Sequence, residues 1–199
     1  MIRRLFLLLK HRREVRMAIS SVLRLAEGDA NAAALGGLTD EEMRAVCGWA
    51  AEGGGKTVVE VGTLFGLTAR EIAGRIVGGR VIAVDNFTWN PFGLPAAVHE
   101  DFTRRILRGS NVALWKMDSA TFREKAKELG CIDMIFFDAD HRYDAVKAEL
   151  LWAKAFGIPQ ICGHDYGNPN PRFGVTRAVN EVFGKENVEV VGMCWRVKL

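Results

Sequence analysis

The chain has 199 residues, of which 49% are apolar, enough for one globular domain with a sizeable core. Its net charge of +3 is uneven: residues 1–26 hold seven basic residues and one acid, so the remainder sums to −3. That acidic remainder has no basic groove with interleaved aromatic residues, which argues against a nucleic-acid partner. The four cysteines form no CxxC pair and three lie in apolar surroundings, which favours free thiols in a reducing cytoplasm over disulfides or a zinc site.

The first predicted element is a basic amphipathic helix within residues 1–26. Its apolar stretch LFLLL is too short for a signal peptide or a bilayer span, and basic residues stand on both sides of it. Apolar residues recur at helical spacing between Leu5 and Leu23, with arginines among them. The favoured interpretation is packing on its own domain or on a second subunit, as in a homodimer. Peripheral attachment to anionic membrane lipid is the alternative.

A second helix is predicted in the segment LTDEEMRAVCGWAAEGGG. Thr39 and Glu42 have the spacing of a capping box, and the triple glycine ends the helix. Residues 1–52 are therefore interpreted as an N-terminal helical extension, and residues 53–199 as the main domain.

From residue 57 onward, predicted strands alternate with predicted helices. The strands are residues 57–62, 80–85, 111–117, 132–138, 159–165, 187–192 and 194–199, and the helices are residues 67–77, 96–107, 119–130, 143–156 and 175–184. Helices between strands imply parallel pairing with right-handed crossovers, whereas the last two strands are too close together for a crossover and imply a hairpin. The predicted fold is α/β: a Rossmann-like, doubly wound seven-stranded sheet, mostly parallel, with an antiparallel C-terminal hairpin and helices on both faces.

The loop after the first strand predicts a site for a nucleoside-containing cofactor. Gly62 and Gly66 allow the backbone to approach a ligand closely, and the helix start offers free N–H groups. Asp85, 23 residues after Gly62, ends the second strand, where it can accept both hydroxyls of a ribose. The GxGxxG triplet of NAD-binding proteins is missing, and Glu60 suits the ammonium of a methionine moiety better than a pyrophosphate. These charges favour S-adenosylmethionine, although a purely structural turn is the alternative.

Five motifs together resemble class I S-adenosylmethionine-dependent methyltransferases. In chain order they are EVGTLFG, VIAVDNF, DSA, FFDADHRYD and GHDY with its following GVTRAV. The resemblance is closest to the small O-methyltransferase branch, which includes catechol and caffeoyl-CoA methyltransferases and sugar-modifying relatives. It runs from about Thr57 to the C-terminus, and it implies a methyltransferase domain over residues 53–199 that acts on a small-molecule or sugar hydroxyl.

The same resemblance implies roles for individual residues at the carboxyl ends of the strands. Asp138 and Asp165 would hold a divalent cation, with Mg²⁺ as the expected ion. The residues implied in cofactor binding are Glu60, Gly62, Thr63, Gly66, Thr68, Asp85, Asp118, Ser119 and Asp138.

His141 and Asp138 are interpreted as the catalytic residues. His141 lies where metal-dependent relatives place a lysine near the acceptor hydroxyl, and an imidazole suits proton abstraction at neutral pH, so it is the expected general base. A helix cap, or a hydrogen bond to a carboxylate, is the alternative role. Tyr166 stands where such relatives have Asn or an acid, so a third cation ligand is unassigned, with His164 or Asp140 as substitutes.

The acceptor is less well defined. Two loops with aromatic residues, residues 86–101 and 166–174, are expected to overhang the strand ends, and they suit a sugar and a phenol equally well. Two other classes of protein compete with the methyltransferase interpretation. One is a non-catalytic, methyltransferase-like protein recruited by its basic N-terminal helix, and the other is an NAD-dependent oxidoreductase.

Overall fold

A computed structural model of the protein describes residues 37–52, 57–89 and 94–199, so the predicted basic helix of residues 1–26 lies outside the described residues. The strands are β1 (Thr57–Val61), β2 (Arg80–Asp85), β3 (Val112–Lys116), β4 (Met134–Phe137), β5 (Gln160–Gly163), β6 (Glu189–Val191) and β7 (Cys194–Lys198). The α-helices are α1 (Asp40–Glu52), α2 (Leu67–Arg75), α3 (Ala96–Ile106), α4 (Ser119–Lys125), α5 (Tyr143–Phe156) and α6 (Val175–Phe183). None of these described helices is long and apolar enough to cross a membrane.

The seven strands form one sheet in the order β3-β2-β1-β4-β5-β7-β6. The first five strands are parallel, and β7 pairs antiparallel with both β5 and β6. The predicted fold class is therefore confirmed. Because β1 has β2 on one side and β4 on the other, the strand order reverses between β1 and β4. Open α/β sheets bind ligands outside the carboxyl ends of their strands at such a switch point.

Alternation along the buried strands produces a separate core on each face of the sheet. Val59 and Ile135 face a cluster that includes α4, α5 and α6, whereas Val58 and Met134 face a cluster that includes α1 and α2. Successive strand side chains point to opposite faces, so apolar strand interiors are required when both faces are covered.

Helix α1 is held at both ends. At its start, the Thr39 hydroxyl accepts a hydrogen bond from Glu42 N (3.3 Å) while Glu42 Oε2 accepts one from Thr39 N (2.8 Å), which is the expected capping box. Near its end, Trp49 Nε1 donates to Glu189 Oε1 of β6 (3.2 Å). The division of the chain at residue 52 stays a prediction, and in the structure α1 packs against the sheet of the main domain.

The cysteines in the core are free thiols. Cys47, Cys162 and Cys194 are buried and Cys131 is exposed. Burial raises the pKa of the Cys47 thiol to about 11, so it stays protonated near neutral pH. These thiols behave as small apolar side chains of the core.

Helices α4 and α5 are joined by a buried polar contact. Ser119, the first residue of α4, donates its hydroxyl hydrogen to Glu149 Oε1 on α5. The Glu149 side chain is buried, and its second oxygen, Oε2, has no hydrogen-bond partner. Burial raises the pKa of Glu149 to about 7, with Ser119 and Arg123 acting in the opposite direction.

The ends of β1 and β4 are in close backbone contact. Asp138 N donates to Val61 O (2.8 Å), and Gly62 has a φ of 93°. A Cβ atom at Gly62 would lie 2.1 Å from the carbonyl oxygen of Asp138. Only glycine therefore fits this point without moving β1 away from β4.

We expect Gly62→Ala to lower the free energy of unfolding by about 3 kcal/mol or more, because it adds backbone strain and a backbone clash. Gly74→Ala is the matched control, since a Cβ at that position in α2 meets nothing within 4 Å. The control should be neutral or stabilising, by up to about 1 kcal/mol. Urea denaturation measures both, and equal stabilities of the two variants would contradict the close contact.

We expect Glu149→Gln to make stability less dependent on pH. The pKa of Glu149 rises from 4.5 to about 7 on folding, so the stabilisation of its protonated form is present below the unfolded pKa and is lost as pH rises through the folded pKa. A shift of this size corresponds to about 3 kcal/mol. Between about pH 5 and about pH 8, the variant should therefore lose less stability than the parent. Glu124→Gln, at an exposed position of α4, is the control, and its stability should depend on pH in the same way as that of the parent.

Candidate active site

Backbone strain marks the carboxyl edge of the sheet. Among the described residues, three non-glycine residues have a positive φ: Leu64 (48°), Phe87 (59°) and Asp165 (63°). They lie in the loops that follow β1, β2 and β5, so all three are at the same edge. Strained residues of this kind cluster at active sites and ligand clamps. This edge is therefore the candidate site.

Asp85 organises the loop after β1. Its Oδ2 accepts hydrogen bonds from Thr63 N (3.0 Å) and Leu64 N (2.8 Å), and its Oδ1 accepts one from Phe87 N (2.6 Å). An ionised carboxylate has about four acceptor sites, so one remains for a ligand. The role of Asp85 in binding a ribose stays a prediction.

Glu60 is buried beneath this loop and accepts a hydrogen bond from the Thr63 hydroxyl. Burial raises the pKa of Glu60 well above its usual range, and the charges of Asp138 and Asp85 add to the rise. Glu60, Asp85 and Asp138 thus interact electrostatically. The structure brings together the predicted acids of strands β1, β2 and β4.

The remaining predicted cofactor residues occupy the starts of helices. Gly66, with a φ of 81°, is the N-cap of α2, and Thr68 is half-buried in the first turn of that helix. Asp118 is exposed and caps α4, with its Oδ1 accepting a hydrogen bond from Thr121 N (2.7 Å). Ser119 follows it and contacts Glu149, as described above.

Phe87 in the loop after β2 and His99 in α3 are buried, contrary to the expectation that residues 86–101 overhang the site. Phe87 and His99 are each 1% exposed, and their rings lie 5.1 Å apart. His99 Nε2 lies 3.0 Å from the carbonyl oxygen of Leu64, so His99 contacts the loop between β1 and α2, which is the predicted cofactor loop. Trp89 is exposed, and its place over the site stays a prediction, while Phe92 lies outside the described residues.

A second cluster lies at the ends of β4 and β5. Ligand atoms of Asp138, His141 and Asp165 all lie within 4.8 Å of one another. His141 Nδ1 is 3.1 Å from Asp165 Oδ2, and the His141 ring stacks on Phe173 at 4.4 Å between centroids. Asn168 Nδ2 donates to Asp165 Oδ1 (2.5 Å). His141 is thus oriented by a carboxylate on one side and an aromatic ring on the other.

His164 is a buried residue that adjoins Asp138 and Asp165. Its Nδ1 is 3.8 Å from Asp138 Oδ1 and 3.7 Å from Asp165 Oδ2, and its Nε2 is 3.6 Å from Glu42 Oε1 on α1. Burial alone lowers the pKa of His164, but Glu42 and the two aspartates raise it to about 9. Sequence reasoning assigned Glu42 only to a capping box and did not connect it with this site.

Asp138 differs from Glu42 in how its charge is compensated. Burial raises the pKa of Asp138 to about 7, with His164 opposing the rise and Asp165 adding to it. Burial also tends to raise the pKa of Glu42, but His164 and the N–H groups of Met193 and Thr39 hold it at about 2. His164 and backbone N–H groups therefore compensate the negative charge of Glu42, whereas the negative charge of Asp138 is compensated only in part.

Tyr166 and Asp140 are engaged away from this cluster. The Tyr166 hydroxyl donates to Asn180 Oδ1 (2.8 Å), and Asp140 forms an exposed ion pair with Arg142 (2.5 Å). Of the residues considered as a third cation ligand, His164 therefore lies near the aspartates and Asp140 is paired elsewhere. His141 joins the cluster as a further nitrogen donor.

Comparison with known proteins places the chain in a family. A methyltransferase-domain family matches residues 59–160, just over half of the 199 residues. A comparison with curated proteins finds no match.

The fold is similar to three solved structures. The O-methyltransferase from Bacillus cereus in complex with SAH has a TM-score of 0.64 and 16% identity over 95% of this chain and 90% of that one. The O-methyltransferase TomG from Streptomyces achromogenes, in complex with SAM, has a TM-score of 0.56 and 15% identity over 82% of each chain. The SAH-bound methyltransferase PaMTH1 from Podospora anserina has a TM-score of 0.61 and 13% identity over 90% of this chain and 86% of that one.

At such identities the likeness shows the fold. Together with the family match, it confirms the resemblance to class I S-adenosylmethionine-dependent methyltransferases, and the chain belongs to the methyltransferase-domain family.

Proposed function

We propose that the protein transfers the methyl group of S-adenosylmethionine to a hydroxyl group of a small molecule or sugar. The observation that carries this proposal is the cluster of Asp138, His141 and Asp165, which adjoins the cofactor loop through the contact of Asp138 with Gly62. A hydroxyl must lose its proton to attack a methyl group well, and this cluster offers a base and two carboxylates for that step.

The cofactor loop suits a ligand with a positively charged end. Glu60 is buried with a raised pKa, and a cation beside it would favour its ionised form. The ammonium of the methionine moiety supplies such a charge. Asp85 keeps an acceptor site for a ribose hydroxyl, and Gly62 keeps side chains out of the space between β1 and β4.

His141 is the proposed general base. Its Nδ1 faces Asp165 at 3.1 Å, so a proton on Nδ1 is held by that carboxylate and Nε2 is left to take the proton of the acceptor. A carboxylate that fixes the tautomer and orientation of an imidazole in this way is a recurring feature of catalytic histidines. Phe173, stacked on the ring, limits its rotation.

The cluster also fits a divalent cation. Asp138 and Asp165 would hold it, while His141 keeps Nε2 for the proton of the acceptor. Carboxylate ligands suit both Mg²⁺ and Mn²⁺. A bound cation would polarise the acceptor oxygen and lower its pKa.

We expect calorimetric titration to show saturable binding of S-adenosylmethionine, with or without Mg²⁺ or Mn²⁺, because the cofactor contacts use Glu60, Gly62 and Asp85. NAD is the control ligand and should not bind. Binding of NAD alone would favour the oxidoreductase, and binding of neither ligand would overturn the methyltransferase proposal in favour of a non-catalytic protein.

We expect Asp85→Ala and Asp138→Asn to separate cofactor binding from cation binding. Loss of the Asp85 carboxylate should weaken S-adenosylmethionine binding by about tenfold or more, with or without the metal. It removes the proposed hydrogen bond to the ribose and the hydrogen bonds that hold the loop after β1. Asp138→Asn should weaken Mn²⁺ binding by at least about tenfold and affect the cofactor less. Calorimetry with each ligand measures both, and equal losses of cofactor and cation affinity in both variants would indicate a general structural role instead.

A further inference from the structure

Helix α1 contributes one buried side chain to the rear of the candidate cation site. Glu42 Oε1 lies 3.6 Å from His164 Nε2, and both side chains are almost completely buried, at 3% and 6% exposure. The opposite nitrogen of the same ring, Nδ1, faces Asp138 and Asp165 at 3.8 and 3.7 Å. The imidazole of His164 therefore connects α1 with the two carboxylates.

Glu42 has a fixed position in this arrangement. Its Oε1 accepts a hydrogen bond from Met193 N (2.7 Å), and its Oε2 accepts hydrogen bonds from Thr39 N (2.8 Å) and the Thr39 hydroxyl (2.9 Å). A Cβ at Gly192 would lie 2.5 Å from Glu42 Oε1, so the neighbouring backbone closes around this carboxylate. The carboxylate is thus held from the helix cap and from the turn between β6 and β7.

The backbone of His164 is fixed as well. Its N–H donates to Phe137 O at the end of β4 (3.1 Å), and its carbonyl accepts from Trp195 Nε1 of β7 (3.2 Å). The ring nitrogen Nε2 makes no hydrogen bond with the described residues, and Glu42 Oε1 lies 3.6 Å from it, so the link between the two side chains is electrostatic.

A second metal site is the competing interpretation of this region, because ligand atoms of Glu42, His164 and Cys194 lie within 4.8 Å of one another. Three hydrogen bonds already use the oxygens of Glu42, which leaves about one acceptor site, too few for Glu42 to be a strong metal ligand as well as a neighbour of His164. Burial raises the pKa of the Cys194 thiol, which opposes the thiolate that a metal requires. The contacts therefore favour a direct interaction between Glu42 and His164 and disfavour a second metal site.

We propose that Glu42 and His164 form a positioning relay, in which Glu42 orients the His164 ring and the ring holds Asp138 and Asp165 in the arrangement that binds the cation. This inference rests on the cation site of the proposed function. Residues that orient metal ligands from behind typically contribute a factor of about 10 to 100 in metal affinity or activity.

The test is a calorimetric titration of Mn²⁺, and separately of Mg²⁺, into the full-length protein and its variants, without acceptor. Glu42→Gln keeps the size of the side chain and removes its charge, and it should weaken cation binding about tenfold. Glu41→Gln is the matched control, because it makes the same change of charge at the neighbouring, exposed position of α1. Glu41→Gln should leave cation affinity unchanged.

The outcomes separate the relay from the proposed function. Cation binding that is weakened by Glu42→Gln and not by Glu41→Gln supports the relay. Equal affinities for Glu42→Gln and the parent overturn the relay alone, and equal weakening by both variants overturns it in favour of a general effect of the charge on α1. Failure of the parent protein to bind either cation overturns both the cation site and the relay. The proposed methyltransferase function is then still tested by S-adenosylmethionine binding.

A second variant keeps the test decisive if Glu42→Gln does not fold. His164→Asn removes the ring and should also weaken cation binding about tenfold. If both variants fold, the double variant should bind the cation about as tightly as the more strongly affected single variant. The effects of residues that act as one unit do not add. Fully additive losses would show that Glu42 and His164 act independently and would overturn the relay.

Discussion

Carboxylates that leave water need hydrogen-bond donors or positive charge, and this requirement organises the carboxyl edge of the sheet. Asp85 is satisfied by three backbone N–H groups, and Glu42 by N–H groups and His164. Glu60 and Asp138, on either side of Gly62, instead have raised pKa values. The acids whose charge is least compensated therefore lie side by side at the switch point of the sheet. A cationic ligand bound there would supply what the protein itself does not.

The topology explains why these acids meet. Parallel strands bring their carboxyl ends to one edge, and the strand order reverses between β1 and β4, the position at which open α/β sheets bind their ligands. Helix α1 precedes the sheet in the chain, yet its capping residue Glu42 reaches His164 at the end of β5. The helix cap and the site thus share one carboxylate, and this helix is part of the architecture of the site.

The sequence predicts local features well because they depend on local patterns. The strand RVIAVD (80–85) and the helix over residues 143–156 agree with the structure to the residue: the strand is a continuous apolar run that ends at Asp85, and the helix ends before Gly157, which has a φ of 82°. The contact of Glu42 with His164 could not be predicted, because no local pattern connects residues so far apart. Nor does periodicity tell which loop side chains turn inward, so the burial of Phe87 and His99 follows only from the tertiary structure.

The distribution of strain bears on the competing idea of a non-catalytic protein. A scaffold that needs only to fold gains nothing from a positive φ at Asp165 or from raised pKa values at Glu60 and Asp138, since each of these lowers stability. Features that oppose folding persist where a ligand compensates for them, and perturbed acids gathered at one edge are typical of functional sites. All three described non-glycine residues with a positive φ lie at this edge, and so do two of the three described acids with a raised pKa, the third being Glu149 between α4 and α5. The energetic cost of this edge thus favours catalysis over recruitment.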